Sequence, residues 1–249
     1  MTQFDYTGTP YPVRNDIVAA NRLAWDRIAG PGNWWSGAER IAIAEEVRRA
    51  NSCRLCAERK AGQAPAGTHA EHDHTGRLPP PAVEAIHRIA TDPAHLRRDW
   101  YEGLLGDGFT DAHYVEIVGI AVTVVCIDAF HRALNLPLEP LPPARPGAPS
   151  GYRPATAILS DQAWVPMIGK AASLGTPEAD LYPGAHTGNV ITAMSLAPDM
   201  VRLLNDTHTA HYVDFATAGM AGPAPGWSLS RPQIELIATR VSILNQCHY

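Results

Sequence analysis

Seven prolines fall between Leu136 and Pro154, at positions 137, 140, 142, 143, 146, 149 and 154. Proline lacks an amide hydrogen and fixes φ, so a stretch this dense excludes both helix interior and central strand. The chain must fold as blocks on either side of an extended, semi-rigid segment. This divides it into a first module over residues 1–136, a proline-rich linker over 137–160 and a second module over 161–249. A second break, Gly62 to Pro81, is polar, ends in three prolines and reads as a long loop inside the first module.

Both blocks carry helical periodicity and weak strand signals. Ser36 precedes Glu39–Ala50, where Ile43, Val47 and Ala50 share a face. Val83, Ile86, Ile89 and Ala90 repeat that spacing, as do Leu96, Trp100 and Leu104 after Asp92-Pro93. Asp111 to Leu134 is apolar on nearly every side, the mark of a helix buried at the centre of a bundle, and Thr110 is placed to cap it. In the second block Val190–Leu196 and Met200–Phe215 read as two helices parted at Pro198. The last helix has Ser230 and Gln233 as a capping box, Pro232 in its first turn, and Ile234, Ile237, Ala238, Val241 and Leu244 as a buried stripe. The expected fold class is all-α, built of helical bundles.

With 45% hydrophobic and 18% charged residues the composition is globular. The net charge of −5 and the lack of a basic stripe argue against nucleic acid as a partner. Membrane is also disfavoured, since the longest apolar run, Ile117 to Ile127, lies between Glu116 and Asp128 and is short for a bilayer. The first residues carry no positive region followed by an apolar core, which reads as cytoplasmic.

Four cysteines, Cys53, Cys56, Cys126 and Cys247, are too sparse for a disulfide framework and suit catalytic, metal-binding or inert roles. Cys53-Arg-Leu-Cys56 is a complete C-x-x-C with Arg48, Arg49, Arg54, Arg59 and Lys60 nearby to favour thiolate. Its spacing predicts two sulfurs close enough to bond, at the start of a helix. A redox pair, half of a zinc site or two packing cysteines all fit, although zinc needs four ligands and no second C-x-x-C exists. His69, His72 and His74, with Glu71 and Asp73, have the donor types for a transition metal, but such a loop reads more simply as polar filler. Cys126 reads as core, and His131 as the closing residue of a buried helix.

The end of the chain carries a more specific pattern: Glu235, eleven intervening residues, then Cys247-His248-Tyr249. The Asn-x-Cys element recurs at Asn51-Ser-Cys53 and Asn245-Gln-Cys247, each time closing an amphipathic helix, and Glu116, Asp128 and His131 repeat the frame without thiols. Together with Asn189–Pro198, this resembles the alkylhydroperoxidase D and carboxymuconolactone decarboxylase family. The resemblance implies two related helical modules and reduction of peroxides by thiol chemistry. It further implies Glu235 in a proton relay, Cys247 as first cysteine of the pair, His248 as a relay histidine, and the attacking second cysteine just beyond Tyr249. From this comes the expectation that a UGA codon read as selenocysteine follows Tyr249, and that the chain as given has little peroxidase activity of its own, because its second module lacks the attacking residue. Cys53 and Cys56 join the expected catalytic residues, but the relay does not transfer to them, because Ile41 stands twelve positions before Cys53 and Lys60 four after Cys56. The implied partners are a small-molecule peroxide, a thiol reductant or redox partner protein, and further copies of the chain in a homo-oligomer, with no cofactor and no metal. A non-catalytic helical oligomer and a cysteine-independent acid–base enzyme like the lactone decarboxylases remain open beside it.

Overall fold

The computed structural model describes residues 4–62, 71–106, 108–183, 187–212 and 227–247. Among these the regular structure is helical: α1 (Asn15–Ala29), α2 (Gly37–Ala50), α3 (Arg54–Lys60), α4 (Pro80–Thr91), α5 (Arg98–Leu104), α6 (Asp111–Ala133), α7 (Lys170–Ser173), α8 (Asn189–Thr192), α9 (Pro198–His211) and α10 (Arg231–Leu244). Among the described residues, extended pairing is confined to two isolated bridges, Gly106 with Phe109 and Ile158 with Met167. The all-α expectation holds.

Local chemistry sets the helix starts. Ser36 Oγ accepts the Glu39 amide at 3.4 Å, and Glu39 Oε2 accepts the Ser36 amide at 2.8 Å, a reciprocal cap on α2. Thr110 Oγ1 accepts the His113 amide at 3.4 Å at the start of α6. Pro80 and Pro198 sit in the first turns of α4 and α9, where a missing N–H costs nothing.

Helix α6 is the hub. It packs against α1, α2, α4 and α9, and its Ile117, Ile120, Val124 and Ile127 are fully buried. It is long and apolar enough to cross a bilayer by length and composition alone, but 61% of its most apolar window is already covered by the protein. Two polar contacts fasten it to α2. Arg40 Nε lies 3.3 Å from Glu116 Oε1, with both side chains buried, and Arg48 grips Asp128 through two bonds of 2.8 and 3.0 Å. Gly32 is required beside Glu116, because a Cβ there would come within 1.9 Å of the carboxylate.

The proline-rich segment is extended, as its composition dictates, yet it does not separate two cores among the described residues. Arg145 N donates to Ala29 O at 2.7 Å, Ser150 N to Gly32 O at 3.0 Å and Gly151 N to Asn33 O at 2.8 Å, so it lies as a strap across the α1–α2 corner. Beyond it, Leu181, Met194, Leu196, Met200 and Leu203 join the cluster that contains Ile28, Ile43 and Ile117. Helix α9 packs on both α1 and α6.

Two expectations for the second block change. The helix here is only Asn189–Thr192, so Val190–Leu196 is helical no further than Thr192 and continues as turns into Pro198. The predicted buried stripe of α10 is not buried among the described residues: Ile237 is 55%, Val241 50% and Leu244 65% exposed. Periodicity correctly marked an apolar side, but no described element covers it. The part of the Met200–Phe215 prediction from residue 213 onward lies outside the described residues.

Candidate functional site

Cys53 is the residue immediately before α3, and Cys56 lies in its first turn. Both are free thiols and both are buried. As their spacing predicts, the sulfurs are near one another, within the 4.8 Å that spans a group of four donor atoms. The other two donors are His72 and His87.

His72 comes from the loop preceding α4. That loop is held down by Asp73, whose Oδ2 accepts the Arg54 amide at 2.8 Å at the start of α3. His72 Nδ1 lies 3.5 Å from both sulfurs. On its far side Nε2 meets Glu84 Oε2 at 2.7 Å. Glu84 also receives Trp100 Nε1 at 3.0 Å and Arg59 Nη1 at 3.1 Å.

His87 is fully buried on α4, with Nδ1 3.2 Å from Cys56 Sγ. Its Nε2 meets Glu46 Oε1 at 2.9 Å. The second oxygen of Glu46 accepts Thr75 Oγ1 at 2.8 Å and Thr75 N at 3.1 Å. Each imidazole is thus backed by one carboxylate, and each carboxylate has further donors of its own. The two rings lie with centroids 4.1 Å apart.

The electrostatics are unequal. Burial disfavours a charged His72, but its bonds to Cys56, Glu84 and Cys53 outweigh that and push it up to about 10. Glu84, despite burial, is held down at about 2 by His72, Trp100 and Arg59. At His87 burial prevails over the Glu46 bond, and the imidazole is driven below its ordinary value. Glu46 stays low because His87 and Thr75 outweigh its burial. Burial also acts to raise Cys53, but the Cys56 amide, His72 and the Asp73 amide reverse it, and the thiol lies below its ordinary value. A neutral His87 that donates Nε2–H to ionised Glu46 presents a lone pair on Nδ1 to Cys56.

Cys56 also borders an apolar groove of about 810 Å³, with Tyr114, Val118, Val122 and Val125 on its α6 wall. Val122 and Val125 remain 39% and 42% exposed there. Cys126, expected to be core, is half-buried on the same wall, and burial raises its thiol to about 11.

The structure therefore brings Cys53 and Cys56 together with residues that pattern reading did not select. Sequence pattern marks none of His87, Glu46 and Glu84, and it groups His72 with His69 and His74 as filler. His74 instead meets Glu71 at 3.2 Å near the surface, and His69 lies outside the described residues. Of the acids near the position twelve before Cys53, Glu39 caps α2 and Glu45 pairs with Arg77 at the surface. Glu235 pairs with Arg231 on α10, Cys247 is exposed, and His248 lies outside the described residues. Asn245, two residues before Cys247, borders the groove at Cys56. The thiol-free frame on α6 is dispersed: Glu116 faces Arg40, Asp128 faces Arg48, and His131 meets Tyr6 at 2.8 Å.

Comparison with known proteins gives no match to a family model, a curated protein or a solved structure.

Proposed function

We propose that the chain reduces organic hydroperoxides by thiol chemistry at Cys53 and Cys56, with Glu46 and His87 as the proton relay. The observation that carries this reading is the line Glu46–His87–Cys56, at 2.9 and 3.2 Å, ending at a sulfur that borders an apolar groove. It agrees with the family likeness in placing a carboxylate on the helix before the C-x-x-C. It differs in taking that carboxylate from Glu46 and the histidine from α4.

His87 Nδ1 accepts the Cys56 proton, and the thiolate attacks one oxygen of the peroxide. The O–O bond breaks, sulfur gains an S–OH bond, and the departing alkoxide takes the proton from His87 to leave as alcohol. Cys53 thiolate, favoured by His72 and the Cys56 amide, then attacks Cys56 sulfur and expels the hydroxyl as water with one further proton. Two thiols and one hydroperoxide give a disulfide, an alcohol and water. A dithiol reductant, small or protein-borne, returns the pair to thiols by exchange. The apolar lining favours an alkyl over a hydrogen peroxide substrate.

The test is consumption of tert-butyl hydroperoxide by the full chain with dithiothreitol as reductant. Cys56→Ser is expected to abolish turnover. Without reductant, Cys53→Ser is expected to consume one equivalent and stop as a sulfenic acid that a dione reagent traps. Turnover that persists in both variants, or none in the reduced parent chain, overturns the reading.

A further inference from the structure

The donor set at this site is also a ligand set. We propose that Cys53 Sγ, Cys56 Sγ, His72 Nδ1 and His87 Nδ1 form a four-coordinate site for zinc in the reduced protein. The proposal concerns the site assigned peroxide chemistry above, but it stands on donor geometry and needs no turnover.

Three observations carry it. The first is distance. Zinc lies about 2.3 Å from thiolate sulfur and about 2.0–2.1 Å from imidazole nitrogen, so tetrahedral angles set each sulfur–nitrogen separation at about 3.6 Å. The structure has 3.5 Å from His72 Nδ1 to each sulfur and 3.2 Å from His87 Nδ1 to Cys56. Three of the four sulfur–nitrogen pairs therefore lie within a few tenths of an ångström of that separation, and all four donors lie within 4.8 Å of one another.

The second is the support behind the ligands. A metal-bound histidine ordinarily gives its other N–H to a carboxylate, which fixes the tautomer and ring orientation. Both histidines have that arrangement, His72 with Glu84 and His87 with Glu46. A packing role for the rings would not call for two separate carboxylates, each on the nitrogen facing away from the sulfurs.

The third is closure. All four ligand residues are buried and all four donors come from protein, leaving no position for water or substrate, as in structural rather than catalytic zinc sites. An ion there would tie α3 and the loop around His72 to α4. That departs from the family likeness, which implies no metal. Entry of the ion displaces the thiol protons and the Nδ1 proton of His72.

The consequence for function is a masked state. With zinc bound both sulfurs are ligands, and the pair becomes available to peroxide only as the ion leaves.

The test uses the full chain, reduced and stripped by a chelator under anaerobic conditions, then titrated with cobalt(II) as the spectroscopic stand-in for zinc. The expected result is one cobalt per chain, with tetrahedral visible bands and a sulfur-to-cobalt charge-transfer band, both erased by one equivalent of zinc. Cys53→Ser should lose about half of the charge-transfer intensity, while Cys247→Ser leaves the spectrum unchanged. Far-UV circular dichroism of Cys53→Ser against the parent separates loss of a ligand from loss of fold. A six-coordinate spectrum without charge transfer in the parent chain overturns the proposal. So does a parental spectrum in folded Cys53→Ser, which would put the metal elsewhere. A cobalt signature without peroxide turnover in the metal-free chain sinks only the peroxide reading; turnover without the signature sinks only the metal site.

Discussion

Glu46 Oε1 lies 2.9 Å from His87 Nε2, and neither side chain has any solvent exposure. The two residues sit on different helices, α2 and α4, and one contact both fastens those helices and turns the opposite imidazole nitrogen toward Cys56. Structure and chemistry therefore depend on the same carboxylate.

Replacing it separates the two. In Glu46→Gln the amide oxygen can still accept from His87, but the negative charge that holds the ring and raises its basicity is gone. Loss of such a support weakens metal affinity by about 10–100-fold. A chelator competition against the parent chain measures this, and an affinity unchanged within twofold would contradict the assigned role.

Burial, partly countered by Arg40, pushes Glu116 up to about 6 from its ordinary 4.5. The native state therefore holds a proton that the unfolded chain has released across that interval. The cost of ionising Glu116 in the fold is absent below about pH 4.5, grows as pH rises and is complete above about 6, amounting to roughly 2 kcal/mol. Urea midpoints taken from pH 4 to 7 should show this descending contribution, and Glu116→Gln should remove it. A Glu116→Gln midpoint that keeps the parent's descent between pH 4 and 7 would refute the assignment.

Gly119 on α6 faces Met200 on α9, where an added Cβ would come within 2.5 Å of Met200 Cβ and Cγ. Gly119→Ala should cost about 1–3 kcal/mol by overpacking. Combining it with Met200→Ala should recover part of the loss, because the new methyl occupies space vacated by the methionine. A double-mutant cycle in urea reads the coupling, and strictly additive effects would mean that the two helices do not pack as described.

Zinc and disulfide should exclude each other. Two zinc-bound thiolates, one hydroperoxide and two protons yield a disulfide, an alcohol, water and a free zinc ion. Adding tert-butyl hydroperoxide to the zinc-loaded chain in the presence of a metallochromic dye should release one zinc for each Cys53–Cys56 disulfide found by mass spectrometry. Disulfide formation with retention of the ion would break this linkage.

The helices were legible wherever a cap or proline marks their start, as at Ser36, Pro80, Thr110 and Pro198. The site was half legible. C-x-x-C spacing is local and survives in one dimension, whereas Glu46 and His87 meet across 41 positions. A signal for Glu46 did exist: it falls three residues after Ile43 and four before Ala50, a charge on the buried face of α2. His87 likewise follows Val83 by four on the buried face of α4. A polar group placed on an apolar stripe demands a buried partner, although sequence alone does not name it. The strap shows the opposite limit. Its extension was dictated by proline, but the carbonyls that receive its amides, at Ala29, Gly32 and Asn33, lie more than a hundred residues upstream.

That strap also sets an order of assembly during synthesis. Residues up to Ala133 already contain α1 and α6, yet the faces of those helices that meet α9 stay uncovered until Pro198–His211 has emerged. At about 5–20 residues per second the intervening stretch of chain takes several seconds to make. For that time the sides of α1 and α6 that α9 will cover stand open, tethered to that helix by a segment whose prolines hold it extended.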